Sequence, residues 1–453
     1  MQRRFQKANR KQMFLLPPSI DHWVSGEHLA RFIWDCVETF DLKPFYDVYA
    51  DEGAPPYDPQ MMLATLLYAW STGIRSSRLI AKACEEQIPF RWLMANIMPD
   101  HCAFARFRSR HEAQISGLFT QILALCQESG LVRLGRVFLD GTKIKGNAAL
   151  SSSHTKEYFE KEIARLVKES KTADEEEERK YGQGLRANDE LPENLKSSTE
   201  RLGRLRQARE VLEKKAAEER QAQEEVIRKR EEEEKQNGKK KGGRKPAAPE
   251  DVVNHERKAN ATDPESRIMK GKNGFVQGYN SQAVVTEDQI IISAVVTQDE
   301  NDVHQLGPML AAAEQDLEEA GIEQIPQALA ADAGYWQEGL DVQGIEQDGP
   351  ELFIATANRH KEKQAAKQEP PPRGRIPDKA SKQERMTRKL RTKRGKAVYS
   401  LRGQTIEPVF GQIKSIMGFT QFLRRGLKAV QSEWQLICAC FNLRKLHRFA
   451  FSQ

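Results

Sequence analysis

The chain has 453 residues, 30% of them charged, and a formal net charge of +6. This length predicts two to four domains. No apolar run approaches the roughly 18 residues needed to cross a bilayer, and the basic N-terminus lacks the apolar stretch of a signal peptide, so we expect a cytoplasmic protein. Its six scattered cysteines form no CxxC pair, which argues against a disulfide scaffold and a zinc finger.

The N-terminal region, residues 1–130, carries apolar residues at helical spacing along most of its length. Asp58 followed by Pro59 predicts a helix start. Short helices joined by STGIRSS and by IMPDHCAFARFRSRH resemble helix-turn-helix packing, and Arg106 and Arg108 would reach DNA phosphates or base edges. We interpret this region as a helical DNA-binding domain. A plain helical bundle with a charged face is the alternative.

The period of the apolar residues changes after this region. GRVFLDGTKIKGN, within residues 131–153, predicts a short β-strand that ends at Asp140 and is followed by Lys143 and Lys145. A charged interval follows at residues 154–256, with heptad-like leucines at Leu195, Leu202, Leu205 and Leu212. It predicts a helical hairpin or short coiled coil, which breaks down at the flexible basic linker NGKKKGGRKPAAP. The interval contacts a DNA end, contacts a second protomer or serves as a solvated spacer, and the sequence leaves these readings open.

Strand patterns resume in residues 257–453. NGFVQGYNSQAVVTEDQIIISAVVTQ predicts a hairpin, and a helix, the strands QALAADAGYW and ELFIATAN, a basic loop and the final helices follow. Without the charged interval, the order is three strands, helix, two strands, loop and helix. This order predicts a mixed five-stranded α/β sheet, in which polar groups at strand ends project into the crevice where ligands bind.

Three carboxylates occupy matching places in this arrangement. Asp140 closes the first predicted strand, Asp332 closes the fourth, and Glu407 lies on the helix after the fifth. The first and fourth strands are expected to be parallel neighbours, so the helix would lay Glu407 over an adjacent aspartate pair. Clustered carboxylates need cations, and hard oxygen ligands suit Mg²⁺ or Mn²⁺, two of which support phosphoryl transfer. A single aspartate at a strand end is more often a turn former, but the coincidence of all three favours a metal site.

The segment LRGQTIEPVFGQIK contains Glu407. Its core-facing stripe is predicted to be Ile406, Phe410, Ile413 and Met417. Glu407 and Lys414 lie on a neighbouring stripe. Pro408 is tolerable if the helix begins near Thr405, whereas a kink is expected if the helix runs through from Tyr399.

These local sequences resemble the DDE transposases of bacterial insertion sequences. FLDGTKIKGNA is similar to the first-Asp block of that family, and ADAGYW is similar to the second, with Gly334 and Tyr335 in the expected places. YSLRGQTIEPVFGQIK resembles the Tyr-Arg-Glu-Lys signature, with an Arg-to-Glu gap one residue longer than in the commonest pattern. The resemblance runs from FLLPPSIDHW to the final helix, outside the charged interval, and implies a ribonuclease-H-like catalytic domain.

The resemblance also implies an activity. Asp140, Asp332 and Glu407 would hold two Mg²⁺ or Mn²⁺ ions, and the protein would cut and transfer DNA strands without a protein nucleophile. The residues expected to contact DNA are Tyr399, Arg402, Lys414, Lys143, Lys145, Arg106 and Arg108. The expected partners are terminal inverted repeats, target DNA and a second copy of the chain in the synaptic complex, at the nucleoid when DNA is bound.

Two other functions fit the same residues. A metal-dependent DNA nuclease without strand transfer has less need for a separate helical end-recognition module. An inactive DNA-binding derivative would not require three intact carboxylates. His304 suits a capping or polar-surface role, since the metal site is complete without it, and Cys438 and Cys440 are predicted to be small apolar core residues.

Overall fold

A computed structural model describes residues 19–49, 55–181, 193–237, 242, 245–254, 256–271, 274–337, 339–357, 374, 376–377 and 380–451, with side chains outside 170–199 and 237. The basic N-terminal segment 1–18, residues 358–373 at the start of the basic loop predicted after ELFIATAN, and the lysines of the predicted linker at 239–241 lie outside the described residues. None of the described helices is both long and apolar enough to span a membrane.

The N-terminal region is helical, as its apolar spacing predicts. Asp58 caps the third helix by accepting a hydrogen bond from the Gln60 N–H at 2.8 Å, and Pro59 occupies the first turn. The segment predicted as the second joint is mostly helix, because Asp100 caps it at the Ala103 N–H. The described helices here are α1 (Leu29–Glu38), α2 (Lys43–Tyr46), α3 (Pro59–Ser71), α4 (Ser77–Glu86), α5 (Ile88–Leu93), α6 (His101–Arg110) and α7 (Glu112–Glu128).

A mixed β-sheet follows, so the predicted fold class is confirmed. The described strands are β1 (Arg136–Lys145), β2 (Ser153–His154), β3 (Ala259–Asn260), β4 (Arg267–Gly271), β5 (Gly274–Thr286), β6 (Ile291–Thr297), β7 (Ala328–Ala331) and β8 (Glu351–Ile354). β2 and β3 form a separate ribbon. The main sheet, as described, has six strands rather than the predicted five, because β4 also pairs with the first residues of β5.

β1 lies at the centre of the main sheet. It pairs antiparallel with β5 from Val137 to Lys145 and parallel with β7 from Arg136 to Leu139. β8 pairs parallel with β7, while β4 and β6 pair antiparallel with successive parts of β5. The predicted parallel pairing of the first and fourth strands is therefore confirmed. The expectation that Asp140 closes β1 is wrong, because pairing with β5 continues after pairing with β7 has ended.

The remaining helices cover the sheet and link it to the N-terminal region. They are α10 (Leu306–Glu319), α11 (Val342–Asp348), α12 (Lys382–Arg391), α13 (Lys393–Gly411) and α14 (Leu427–Phe451), with a π-helical turn at Gln412–Ile416. The charged interval contains α8 (Lys156–Tyr181) and α9 (Glu193–Asn237). These two helices pack together, as predicted for a hairpin, and bury Phe159, Leu205, Ala208 and Leu212 in a small separate core. Leu195 lies outside the described side chains.

α13 differs from the predicted helix around Glu407. It begins at Lys393 rather than near Thr405, so Pro408 lies in its interior. A proline cannot donate to the carbonyl four residues earlier, and that carbonyl, of Gln404, instead accepts a hydrogen bond from the Gln289 side chain at 3.4 Å. The predicted core stripe is confirmed, since Ile406, Phe410, Ile413 and Met417 are all buried.

One hydrophobic core joins the N-terminal helices to the sheet. α14 lies within it, packed against α3, α7 and β6, and its Cys438 and Cys440 are buried free thiols, as predicted. Burial raises the pKa of the Cys440 thiol to about 12, which keeps it protonated. Glu112 of α7 pairs with Arg424, which precedes α14, and adds a polar contact between the two regions.

Candidate active site

Asp140 and Asp332 face each other across neighbouring strands. Leu139 of β1 is in register with Ala331 of β7, so each aspartate follows a paired residue on parallel strands. Arg402 of α13 lies between them: its Nη2 is 2.8 Å from Asp140 Oδ2 and 3.6 Å from Asp332 Oδ2. The two predicted carboxylates therefore share one guanidinium group.

The environment of Asp140 favours its neutral form. Burial raises the pKa of this carboxyl to about 6, and the negative charges of Asp332 and Asp302 act in the same direction. The positive charge of Arg402 and a hydrogen bond from the Gly141 N–H, at 2.9 Å, oppose the rise. Burial lowers the pKa of Arg402 itself, but the surrounding acidic groups, chiefly Asp140 and Asp332, together raise it by more. Arg402 thus offsets part of the cost of holding Asp140 inside the protein.

Asp332 is held by the turn that follows its strand. Its Oδ1 accepts a hydrogen bond from the Gly334 N–H at 2.8 Å and caps the short 3₁₀ helix Ala333–Tyr335. The side chain is 40% exposed, compared with 17% for Asp140. One oxygen is fixed by the turn, while the other faces Arg402.

Glu407 lies on α13, five residues after Arg402, and is exposed. Its carboxylate lies beside Gly403 on its own helix. Among the residues that the structure describes, no three His, Cys, Asp or Glu side chains are gathered to hold a metal ion. The structure thus brings Asp140 and Asp332 together without the third acid, and Glu407 as a ligand remains a prediction.

Two protein-family models match parts of the chain. A family model described as "Transposase domain (DUF772)" matches residues 18–110, which contain α1 to α6. A second, described as "Transposase DDE domain", matches residues 361–447, which contain Arg402 and Glu407. Both matches support a DDE transposase of an insertion sequence. No curated protein and no solved structure gives a significant match.

Enzymes of this family cleave nucleic acids and generally use divalent metal ions. In this chain, the donor chemistry of Asp140 and Asp332 fits such an ion, because their hard carboxylate oxygens lie close enough to share one cationic group. Both aspartates lie outside the two matched segments. Their proximity is therefore an observation independent of the family comparison.

The predicted lysines lie along β1 beyond Asp140. Lys414, in the π-helical turn, donates from Nζ to Thr142 Oγ1 and, at 3.2 Å, to the Lys143 carbonyl. Lys143 itself donates to the Lys270 carbonyl at 2.8 Å, and Lys145 is exposed. Lys414 therefore lies on the Asp140 face of β1, beside Thr142, while Lys143 and Lys145 alternate to the opposite face of the strand.

The two predicted arginines of α6 occupy different environments. Arg106 is exposed. Arg108 is largely enclosed, donates to Ser77 Oγ at 2.9 Å and lies 5.8 Å from the ring centre of Trp70. Because this guanidinium fixes helices to one another, its position does not favour the predicted DNA contact.

Two further residues considered in the sequence are His304, which lies between Asp140 and Asp332 in the chain, and Tyr399, which follows both. Tyr399 is half-buried on α13, one turn before Arg402, and packs at the edge of the core. His304 is exposed just before α10 and belongs to no metal-holding group among the described residues.

Sequence reasoning missed Asp302, which lies between β6 and α10. Its Oδ1 accepts hydrogen bonds from Asn280 Nδ2 at 2.7 Å and from Gln282 Nε2 at 2.6 Å. Both amides are buried in β5. A signal was available, because two polar residues at alternate positions of a central strand must find partners on one face.

Proposed function

We propose that this transposase binds the inverted-repeat ends of an insertion sequence and catalyses metal-dependent DNA cleavage followed by strand transfer. The pairing of Asp140 and Asp332 at adjacent parallel strands, around a single guanidinium, supports this proposal most strongly. Paired carboxylates on adjacent parallel strands can hold the cations that support phosphoryl transfer without a protein nucleophile.

In this proposal, Asp140, Asp332 and Glu407 hold two Mg²⁺ or Mn²⁺ ions. Such ions, when bound, polarise the attacking and leaving oxygens of a phosphodiester. The protein's own part is to fix the carboxylates. The Gly141 N–H holds one oxygen of Asp140, and the Gly334 N–H holds one oxygen of Asp332. Preorganised ligands of this kind lower the cost of assembling the reactive geometry.

The cationic side chains on and beside β1 suit a DNA backbone. Lys414 is anchored on β1 close to Asp140, and Lys145 is exposed further along the same strand. We assign phosphate contacts to these two residues and to Lys143 and Tyr399, whereas Arg402 is assigned to the aspartate pair that it contacts. Exposed Arg106 is assigned to the N-terminal DNA contact, and two copies of the chain are expected to hold the paired ends.

The test uses the purified full chain and a plasmid that carries the DNA flanking its reading frame. Wild type is expected to cut at the inverted repeats with Mg²⁺ or Mn²⁺ and to join pre-cleaved ends to target DNA. Asp332→Ala should abolish both reactions and retain DNA binding in a gel-shift assay. Asp341→Ala, which removes an aspartate that caps α11, is the matched control and should leave cleavage intact. Full cleavage by Asp332→Ala would refute the assignment, and cleavage without joining would indicate a nuclease.

A further inference from the structure

A buried polar cluster lies behind the two paired aspartates. It consists of Asn280 and Gln282 on β5, Asp302 before α10 and Tyr335 after β7. Asp302 accepts from both amides, and the buried Tyr335 hydroxyl donates to Gln282 Oε1. Gln282 is thus fixed at both ends of its amide. Such a network orients its members strongly, because each buried polar group has a partner.

The cluster packs against β1 at Gly141, immediately after Asp140. Gly141 is in register with Gln282, and successive residues of a strand point to opposite faces. Asp140 therefore faces Arg402 on one side, while the cluster meets Gly141 on the other. A Cβ at position 141 would lie 2.4 Å from Gln282 Nε2 and 2.8 Å from Asp302 Oδ1. Only glycine permits this approach.

The same cluster reaches the turn that holds Asp332. A Cβ at Gly334 would lie 3.4 Å from Asp302 Oδ2, so the second oxygen of Asp302 faces this turn. Tyr335, the next residue, is tied to Gln282. Asp302 therefore lies beside the backbone that follows each aspartate, one oxygen toward Gly141 and the other toward Gly334.

We propose that Asp302 is a positioning residue that sets the separation and orientation of the Asp140 and Asp332 carboxylates and thereby their affinity for a divalent cation. The inference rests on the proposed function, since it assumes that this pair holds the cation. Asp302 acts through Gly141 and Gly334 and is not itself assigned as a ligand.

The chemistry of the cluster requires an acceptor at position 302. Two buried amide donors converge on one oxygen, and their removal from that oxygen would leave both without a partner. Gln282 would then be free to rotate into the space beside Gly141. Asn at position 302 keeps the shape and one acceptor oxygen, whereas Ala keeps neither.

The test is isothermal titration calorimetry of Mn²⁺ into the full chain, after removal of metals with a chelator. Asp302→Ala should weaken Mn²⁺ binding by about 10- to 100-fold, as loss of a supporting contact to a ligand does, and Asp302→Asn should restore it to within about threefold of wild type. Wild-type affinity in Asp302→Ala would overturn the inference. Equal loss of Mn²⁺ affinity in Asp302→Ala and Asp302→Asn would also overturn it, because that result would indicate that the charge of Asp302, and not its positioning of the pair, sets the affinity.

Two further variants separate positioning from stability and from the proposed function. Asp316→Ala, on α10 behind the sheet, should change stability and leave Mn²⁺ affinity unchanged. If Asp302→Ala does not fold, Asn280→Ala removes one of the two hydrogen bonds and should weaken Mn²⁺ binding by about threefold or more, while wild-type affinity there would overturn the inference. Asp140→Asn should remove Mn²⁺ binding. Retention of binding there would refute the proposed site itself, and unchanged binding in Asp302→Ala alone would refute only the positioning role.

Discussion

Replacement of Asp140 by Asn should stabilise the metal-free protein at neutral pH while it removes the activity. Burial raises the pKa of Asp140 from 3.8 to about 6, even with Arg402 beside it. Ionisation of this carboxyl in the folded protein therefore lowers the free energy of unfolding. Asn has nearly the same shape and no charge, so it stands in for the protonated acid.

The magnitude follows from the difference between the two pKa values. A tenfold change in the acid dissociation constant corresponds to about 1.4 kcal/mol, so a pKa raised from 3.8 to about 6 corresponds to about 3 kcal/mol. Between these values the folded chain binds more protons than the unfolded chain. The stability that protonated Asp140 gives the folded chain is thus fully present below about pH 4 and is lost as pH rises through about 6.

The assay is urea unfolding of wild type and Asp140→Asn in the presence of a chelator. At about pH 7 the variant should be more stable by up to about 3 kcal/mol, and at about pH 4 the two should coincide. Mn²⁺ should stabilise wild type and leave the stability of Asp140→Asn unchanged, so that the difference in free energy of unfolding between the two becomes smaller. Asp316→Asn is the matched control, because burial raises the pKa of Asp316 to about 6 as well. It should show the same pH dependence, and Mn²⁺ should stabilise it as much as wild type, so that its difference in stability from wild type does not change with Mn²⁺.

One result would refute the reasoning. If Asp316→Asn is more stable than wild type at neutral pH and Asp140→Asn is not, the groups around Asp140 fully offset the destabilising effect of burying its ionised carboxylate. Arg402 would then neutralise the carboxylate completely, and the pair would be a stable ion pair rather than a site held ready for a cation.

Three further substitutions test the packing around the site. Glu433→Ala should lower the free energy of unfolding by about 2 to 4 kcal/mol, because its buried carboxylate accepts hydrogen bonds from the N–H groups of Leu423 and Arg424; urea unfolding measures this. Phe159→Ala should weaken the base of the α8–α9 hairpin by about 3 to 5 kcal/mol, and hydrogen exchange should rise in those two helices while the sheet is unaffected. Pro408→Ala should raise the free energy of unfolding by about 1 to 3 kcal/mol, since it restores a helical N–H; a decrease would show that the helix depends on the proline.

Local patterns in the sequence predicted the elements that local chemistry decides. The order of strands and helices predicted β1 and β7 as parallel neighbours, and the helical spacing predicted the buried stripe at Ile406 and Phe410. The same reasoning missed the length of β1, because its continuation past Asp140 depends on pairing with β5, more than a hundred residues later. Strand ends are decided by partners as much as by composition.

Contacts between distant residues explain the other differences. Nothing near Arg108 in the sequence indicates that Trp70 and Ser77 enclose it. Nothing near Arg402 places its guanidinium between Asp140 and Asp332, since the Tyr-Arg-Glu-Lys resemblance suggested a phosphate contact instead. A long side chain can reach several partners, and only the fold decides among them.

The irregular end of α13 links these observations. A regular helix would return Lys414 to the face of Glu407 two turns later. The π-helical turn Gln412–Ile416 changes that progression, and Lys414 instead contacts β1 beside Thr142. Pro408 removes a helical hydrogen bond just before this turn. Both departures cost helix stability, and both lie between the residue that contacts the aspartate pair and the lysine that contacts the adjoining strand. Such concentrated irregularity is typical of functional sites, and it favours α13 and the π-helical turn after it as the elements that carry cationic groups to the Asp140 face of β1.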